Sequence, residues 1–204
     1  MTDVQKVFAS AATSFAALVR DIPDGRWDGP GLGDWNLRDL VGHTSRSLTT
    51  VSTYLKTTAD HEDVTSPQEY YVRIRDYVTN AGQAAIVERG RQAGRELGED
   101  PVATVDALVE RALGEVAAAG DPIIAVIGGL GIRLSEYLRT RTFELAVHGL
   151  DIARATAVPF ALPDEVLDEA AVLAARIGVA LGRGDTVLLA LTGRAPLPES
   201  FSVV

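Results

Sequence analysis

The stretch TFELAVHGLDIARA, residues 142–155, sets Glu144, His148 and Asp151 into mostly apolar sequence. Glu144 and His148 are about one helical turn apart, so on a helix their side chains lie one above the other. A carboxylate and an imidazole so placed can hold one side of a divalent cation, or pair with each other. Asp151 follows one turn later and can accept the imidazole's other N–H, an interaction that orients a ligating ring. The chain of 204 residues has three histidines and no cysteine, so any zinc site must use His, Asp or Glu. His43 is the candidate third ligand, because it sits in a helical pattern near Leu40, Val51 and Tyr54. His61 lies instead in the polar run TADHEDVT. His43, Glu144 and His148 would give three protein ligands and an open position, the pattern of a catalytic zinc. Non-haem iron takes the same set, so residue types leave the metal open.

A helical wheel over residues 133–156, turning about 100° per residue, puts Asp151, Tyr137, His148 and Arg141 within roughly 60° of Glu144. Leu134, Leu138, Leu145 and Ile152 flank this seam on one side, and Phe143, Val147 and Leu150 on the other. Ser135, Arg139, Thr142, Ala146, Gly149 and Ala153 fall opposite, on the face expected to point away from the core. In an ordinary amphipathic helix the charges lie farthest from the core. Here they occupy the middle of the face most suited to burial, where unpaired charges cost roughly several kcal/mol. They must pair with one another, bind a metal or line a wet cavity. A buried ion-pair network, with His43 elsewhere, is the competing reading.

The elements that must position these residues are helical. Val4, Phe8, Ala11, Phe15 and Leu18 recur at helical spacing up to about Arg20. The run DIPDGRWDGPGLGDW is a long loop with Trp27 and Trp35 as anchors. Asn36 with Asp39 starts a second helix, reaching about residue 58. Ser66, Pro67 and Glu69 start a third, reaching about Leu97 with a break near Gly82 or Gly90. Asp100 and Pro101 open a fourth to about Ala119. The run DPIIAVIGGLG reads as a short strand or irregular crossing. The seam helix spans about 133–156, and another runs from Pro163 to about Leu181. The expected architecture is mainly α: a helical bundle over residues 1–184, with residues 185–204 as a short β-hairpin or extended tail.

The formal net charge is −9 and the pI about 4.8, which disfavours general binding to nucleic acid or to an anionic membrane. The N-terminal twenty residues lack the pattern of a signal peptide, and no apolar run nears the roughly 20 residues of a membrane span. A cytoplasmic protein, monomer or homodimer, is expected.

Two motifs carry a family resemblance. GLGDWNLRDLVGHT resembles the segment of Trp, helix cap and His that opens helix two in the DinB-like superfamily. SEYLRTRTFELAVHGLDIARA resembles the R-x-x-E-x-x-x-H-x-x-D stretch of its mycothiol-dependent maleylpyruvate isomerase branch. The resemblance implies a DinB-like four-helix bundle whose divalent metal, usually zinc, is held at the positions of His43, Glu144 and His148. It also implies a low-molecular-weight thiol, mycothiol in actinobacteria, as cofactor for S-transferase or isomerase chemistry. A chain without cysteine is compatible with a thiol supplied from outside. Longer relatives resemble a bundle plus a C-terminal α/β domain. About twenty residues follow the last helix here, too few for a domain, so the resemblance is to a short form.

The expected function is therefore thiol transfer or isomerisation on a small electrophile. Arg141 and Asp151 are the candidates for catalytic roles, Arg141 by pairing Glu144 or clamping a substrate carboxylate. Tyr54 and Tyr137 are expected in the core or lining the pocket. Hydrolysis by a metal-bound water, or a non-catalytic helical protein that binds a small molecule or partner, are the alternatives.

Overall fold

A computed structural model describes the backbone of residues 1–204 and all side chains except those of 76–81 and 83. The order is α1 (Asp3–Arg20), α2 (Leu37–Tyr54), α3 (Pro67–Glu96), α4 (Pro101–Ala119), β1 (Ile123–Ala125), β2 (Gly131–Arg133), α5 (Leu134–Thr156), α6 (Asp164–Ala180) and α7 (Gly184–Leu191).

The helix starts follow from their caps. Asn36 accepts from the Asp39 amide at 2.8 Å while the Asp39 carboxylate accepts from the Asn36 amide at 3.4 Å, a reciprocal box that opens α2. Ser66 and Asp100 cap α3 and α4 through the amides of Glu69 and Ala103, each with Pro at the first helical position. The expected break in α3 falls at Gly82, where φ is 78° and ψ 155°. At Gly90 the helix continues, and the missing Cβ makes room for the Trp35 indole.

Helix α5 is the centre of the packing. It lies against α1, α2 and α6, while α2 also packs on α3 and α4. The core joins Phe8, Phe15 and Leu18 of α1, Leu40 and Leu48 of α2, Val105 and Val116 of α4, Tyr137 and Leu138 of α5, and Leu173 and Ile177 of α6. The small sheet pairs β1 with β2 antiparallel, Ile124 opposite Ile132. Thr58 and Val64 bridge to those two isoleucines, so the 58–64 segment ties the hairpin to the end of α2 and the hairpin leads into α5.

Two expectations are corrected. The opposite face of α5 is not turned outward: Thr142, Ala146 and Gly149 are buried. Their small size lets neighbouring elements close over them, with the Phe160 ring filling the space a Cβ at Gly149 would need. Residues 185–204 do not form a hairpin. Asp185 to Leu191 continue as α7, since Leu and Ala favour helix and Asp185 suits its first turn. Gly193, at φ 69°, follows the helix end, and residues 195–198 and 201–204 carry no regular structure, so an extended tail remains.

Gly42→Ala should destabilise the fold, because the new Cβ would overlap the Gly94 backbone and force α2 and α3 apart. The expected loss is about 1–3 kcal/mol, roughly 2–10 °C in melting temperature. Gly114→Ala in α4, whose Cβ meets nothing within 4 Å, should instead gain about 0.5–1 kcal/mol. Thermal melts that shift alike for both would contradict the close α2–α3 approach.

Candidate metal centre

α5 and α2 bring the three expected ligand candidates together. His43 comes from the second turn of α2, Glu144 and His148 from the middle of α5. Each offers a donor atom, and these atoms lie within 4.8 Å of one another. Among the described residues this is the group of three or more His, Asp or Glu that could hold an ion. The side chains of His148 and Glu144 are 15% and 22% exposed, so the cluster is mostly shielded from solvent.

Each member is held from behind. Trp35 packs its ring on His43, centroids 4.4 Å apart, and its indole N–H donates to the Val87 carbonyl at 3.0 Å. The Tyr71 hydroxyl donates to Glu144 Oε1 at 2.7 Å, and Glu144 Oε2 lies 3.3 Å from His148 Nε2. His148 Nδ1 is 3.2 Å from Asp151 Oδ2, the orienting contact expected from the spacing. With Nδ1 protonated toward Asp151, the Nε2 lone pair faces the cluster. His43 Nδ1 is buried without a hydrogen-bond partner among the described residues. A buried polar atom left so costs about 1–3 kcal/mol, and an imidazole with a nitrogen unspent on the protein fits a ligand position.

Electrostatics follows the same geometry. Burial would raise the Glu144 carboxyl, but the His148 hydrogen bond and the Arg141 charge outweigh it and hold the group at about 2. Burial would lower His148, but bonds to Asp151 and Glu144 outweigh it and hold the imidazole at about 9. His43 has no such anion to itself; burial first, then His148, press it down to about 4. Burial and the Glu144 charge push the Tyr71 phenol well up, so it stays a donor.

Arg141 departs from expectation. Among the described residues it forms no ion pair with Glu144; its Nε donates to Thr140 Oγ1 at 3.1 Å and its guanidinium stands 4.8 Å and 5.7 Å from the Tyr137 and Tyr70 ring centres. Tyr54 and Tyr137 combine both expected roles, packing edge to face at 5.6 Å while lining the cavity. Sequence reasoning missed Tyr71, which lies 73 positions from its partner Glu144. It also missed Arg46, although one turn after His43 on the same helix face is a place to look.

The cluster opens into a cavity of about 880 Å³. Among the described residues, Arg46, Arg75, Arg89, Arg141 and Arg183 line it, against Glu144 and Asp151 as its acids. A smaller hollow of about 370 Å³ lies across α2, sharing Arg46, Thr50 and Tyr54 as a ridge.

Fold and site thus define a helical bundle with a His–Glu–His cluster at the base of a cationic cavity. The model of the mycothiol maleylpyruvate isomerase N-terminal domain family matches residues 8–153, and the chain belongs to that DinB-like family. No curated protein and no solved structure matches the chain. Among the described residues, no helix is long and apolar enough to cross a membrane.

The two histidines give opposite pH limbs in metal-free protein. His148, raised from 6.5 to about 9, lends stability that is complete below 6.5 and lost as pH rises through about 9. His43, lowered from 6.5 to about 4, lends stability that is complete above 6.5 and lost as pH falls toward about 4. Denaturant titrations in chelator should therefore peak near pH 6.5. Asp151→Asn should flatten the alkaline limb and lower the His148 pKa, seen by NMR, by about a unit or more. An unmoved His148 would show that Asp151 does not hold it.

Proposed function

We propose that the chain is a divalent-metal-dependent enzyme of the thiol S-transferase or isomerase type, with His43, Glu144 and His148 as ligands and zinc as the metal. The convergence of these three donors at the base of the cavity carries the reading. Membership of a family named for a mycothiol-dependent isomerase supports a low-molecular-weight thiol such as mycothiol as cosubstrate, and a chain without cysteine must receive its thiol from outside. The position of His43 against His148, ring centres 5.0 Å apart, supports the metal reading over a network of ion pairs with His43 elsewhere.

A bound divalent cation supplies Lewis acidity, lowering the pKa of a thiol or water in its open position toward neutrality. The protein's own residues prepare the rest. Asp151 fixes the His148 tautomer, and Tyr71 takes one lone pair of Glu144, leaving Oε2 toward the cluster. Trp35 covers the back of His43 and keeps water from that side. The arginines concentrate positive charge in one cavity of a chain whose net charge is −9, which favours a substrate bearing a carboxylate or similar anion. Arg141, braced by two tyrosine rings and paired with no carboxylate among the described residues, is the residue we assign to hold it. In transfer, the thiol sulfur bonds to the electrophilic carbon and the leaving group departs with its electron pair. In isomerisation, addition to an activated double bond allows rotation, and the same carbon–sulfur bond then breaks to return the thiol. Hydrolysis at the same cluster would need no thiol, so thiol dependence separates the two.

Protein purified without a histidine tag should carry about one zinc or similar ion per chain by elemental mass spectrometry, and His148→Ala, His43→Ala and Glu144→Ala should lose it. With metal bound, Arg141→Gln should raise KM for a carboxylate-bearing electrophile about tenfold or more with a smaller change in kcat, if its role is uniform binding. Absence of metal even after zinc addition and dialysis would sink the enzyme reading. Turnover that ignores added thiol would favour hydrolysis.

A further inference from the structure

The triad and its supports lie within residues 8–153, the part shared with the family. One wall of the cavity does not. Leu181, Arg183, Ser200, Ser202, Val203 and Val204 line it from the far end of the chain. Beyond α7 the tail turns at Pro198–Phe201, where the Phe201 amide donates to the Pro198 carbonyl at 3.1 Å and Ser200 takes φ 59°. That left-handed conformation is unfavourable for serine and persists where surrounding contacts impose it. The contacts are visible. Arg183 Nη1 donates to the Ser202 carbonyl at 2.8 Å, and its guanidinium stands 5.6 Å from the Phe201 ring centre. Val203 packs on the core beside Gly178, its Cγ1 3.4 Å from where a Cβ there would stand.

We propose that Ser200–Val204 form the outer wall of the cavity over His43, Glu144 and His148, that Arg183 is the clasp holding it, and that this wall decides which ligands reach the three donors. Arg183 is a positioning residue: it acts through the tail it holds. Among the described residues the wall is lightly attached, with one hydrogen bond to a carbonyl, one cation–ring contact and one half-buried valine against a helix. Segments with few buried contacts open locally without unfolding the rest. Arg183 also brings its charge to the cavity rim, so the clasp and the electrostatic lining are one residue. The idea rests on the cavity being the working site, as proposed above, but its test needs neither metal nor substrate.

The chain has three histidines, which supply their own control: His43 lies in the cavity, whereas His61 is exposed on the 58–64 segment. Metal-free protein is treated with diethyl pyrocarbonate, and the modification rates of His43 and His61 are compared by peptide mass mapping. Arg183→Ala and Val203→Asp should raise the His43/His61 ratio several-fold, and Arg183→Lys, which keeps a donor for the Ser202 carbonyl, should restore part of the protection. Leu191→Ser, at an α7 residue 75% exposed, should leave the ratio unchanged. Circular dichroism melts identify any variant that loosens the whole fold, and the Arg183 pair, altered at an exposed turn, keeps the comparison decisive. An unchanged ratio in folded Arg183→Ala and Val203→Asp would overturn the wall. Failure to bind metal would overturn the proposed function and leave this ratio informative.

Discussion

Everything in this structure turns on the burial of a charged row along α5. The helix is covered on nearly every side: by α1, α2 and α6, by Phe160 over Gly149, and by the Tyr70–Tyr71 pair over its charged face. Burying isolated charges is prohibitive, so each must be matched within the row or by a neighbour. Asp151 and Glu144 bracket His148, Tyr71 takes the remaining oxygen of Glu144, and Arg141 is met by two aromatic faces. Among the described residues, the imbalance in this row is His43, an imidazole pressed against His148 with an unpartnered nitrogen and no anion of its own. A row that protein alone would close neatly is left short of one partner at the point where α2 meets α5.

The position of α2 is therefore as consequential as the residues of α5. Its entry is fixed by the Asn36–Asp39 box and by Trp35, which reaches past Gly90 to the Val87 carbonyl. Its depth is set where Gly42 meets Gly94 on α3, backbone against backbone. His43 is the very next residue. A small-residue contact that lets two helices approach also sets how far His43 is carried toward α5. Packing and chemistry share one stretch of chain here, and a helix shift of an ångström would be felt at the donors.

What the sequence could reveal depended on how local the physics was. Caps are local, so the starts of α2, α3 and α4 were readable from Asn36, Ser66 and Asp100, whereas at 121–131 strand and crossing stayed open until the pairing of β1 with β2 decided it. The candidate triad was legible because a Glu–His–Asp row lies on one helix and His43 was the histidine left in a helical context. The opposite face of α5 was misread because a wheel gives angles and not neighbours: Thr142, Ala146 and Gly149 look like an outer face until α6 and Phe160 close on them. The residues 185–191 were misread because a short run of Val, Leu and Ala carries no period that separates strand from helix. Tyr71, Arg75, Arg89 and Arg183 gave no signal at all, since nothing in sequence spacing says which side chains will share a cavity.

That last group changes the chemistry as much as the triad does. A His–Glu–His cluster in a neutral hollow would take any small nucleophile or ligand. Placed beneath arginines from α2, α3, α5 and the turn before α7, it sits in a positive well inside an acidic molecule. Low-dielectric walls focus such a field toward the cavity mouth, which under the proposed function would favour the capture of an anionic substrate. The same surface charge turns anions away elsewhere, so selection begins before contact. The helices within residues 8–153 thus place the three donors and four of these five arginines, while the later elements add Arg183 and the tail. Arg183 joins the two, being at once part of the positive well and the residue that holds the tail across it.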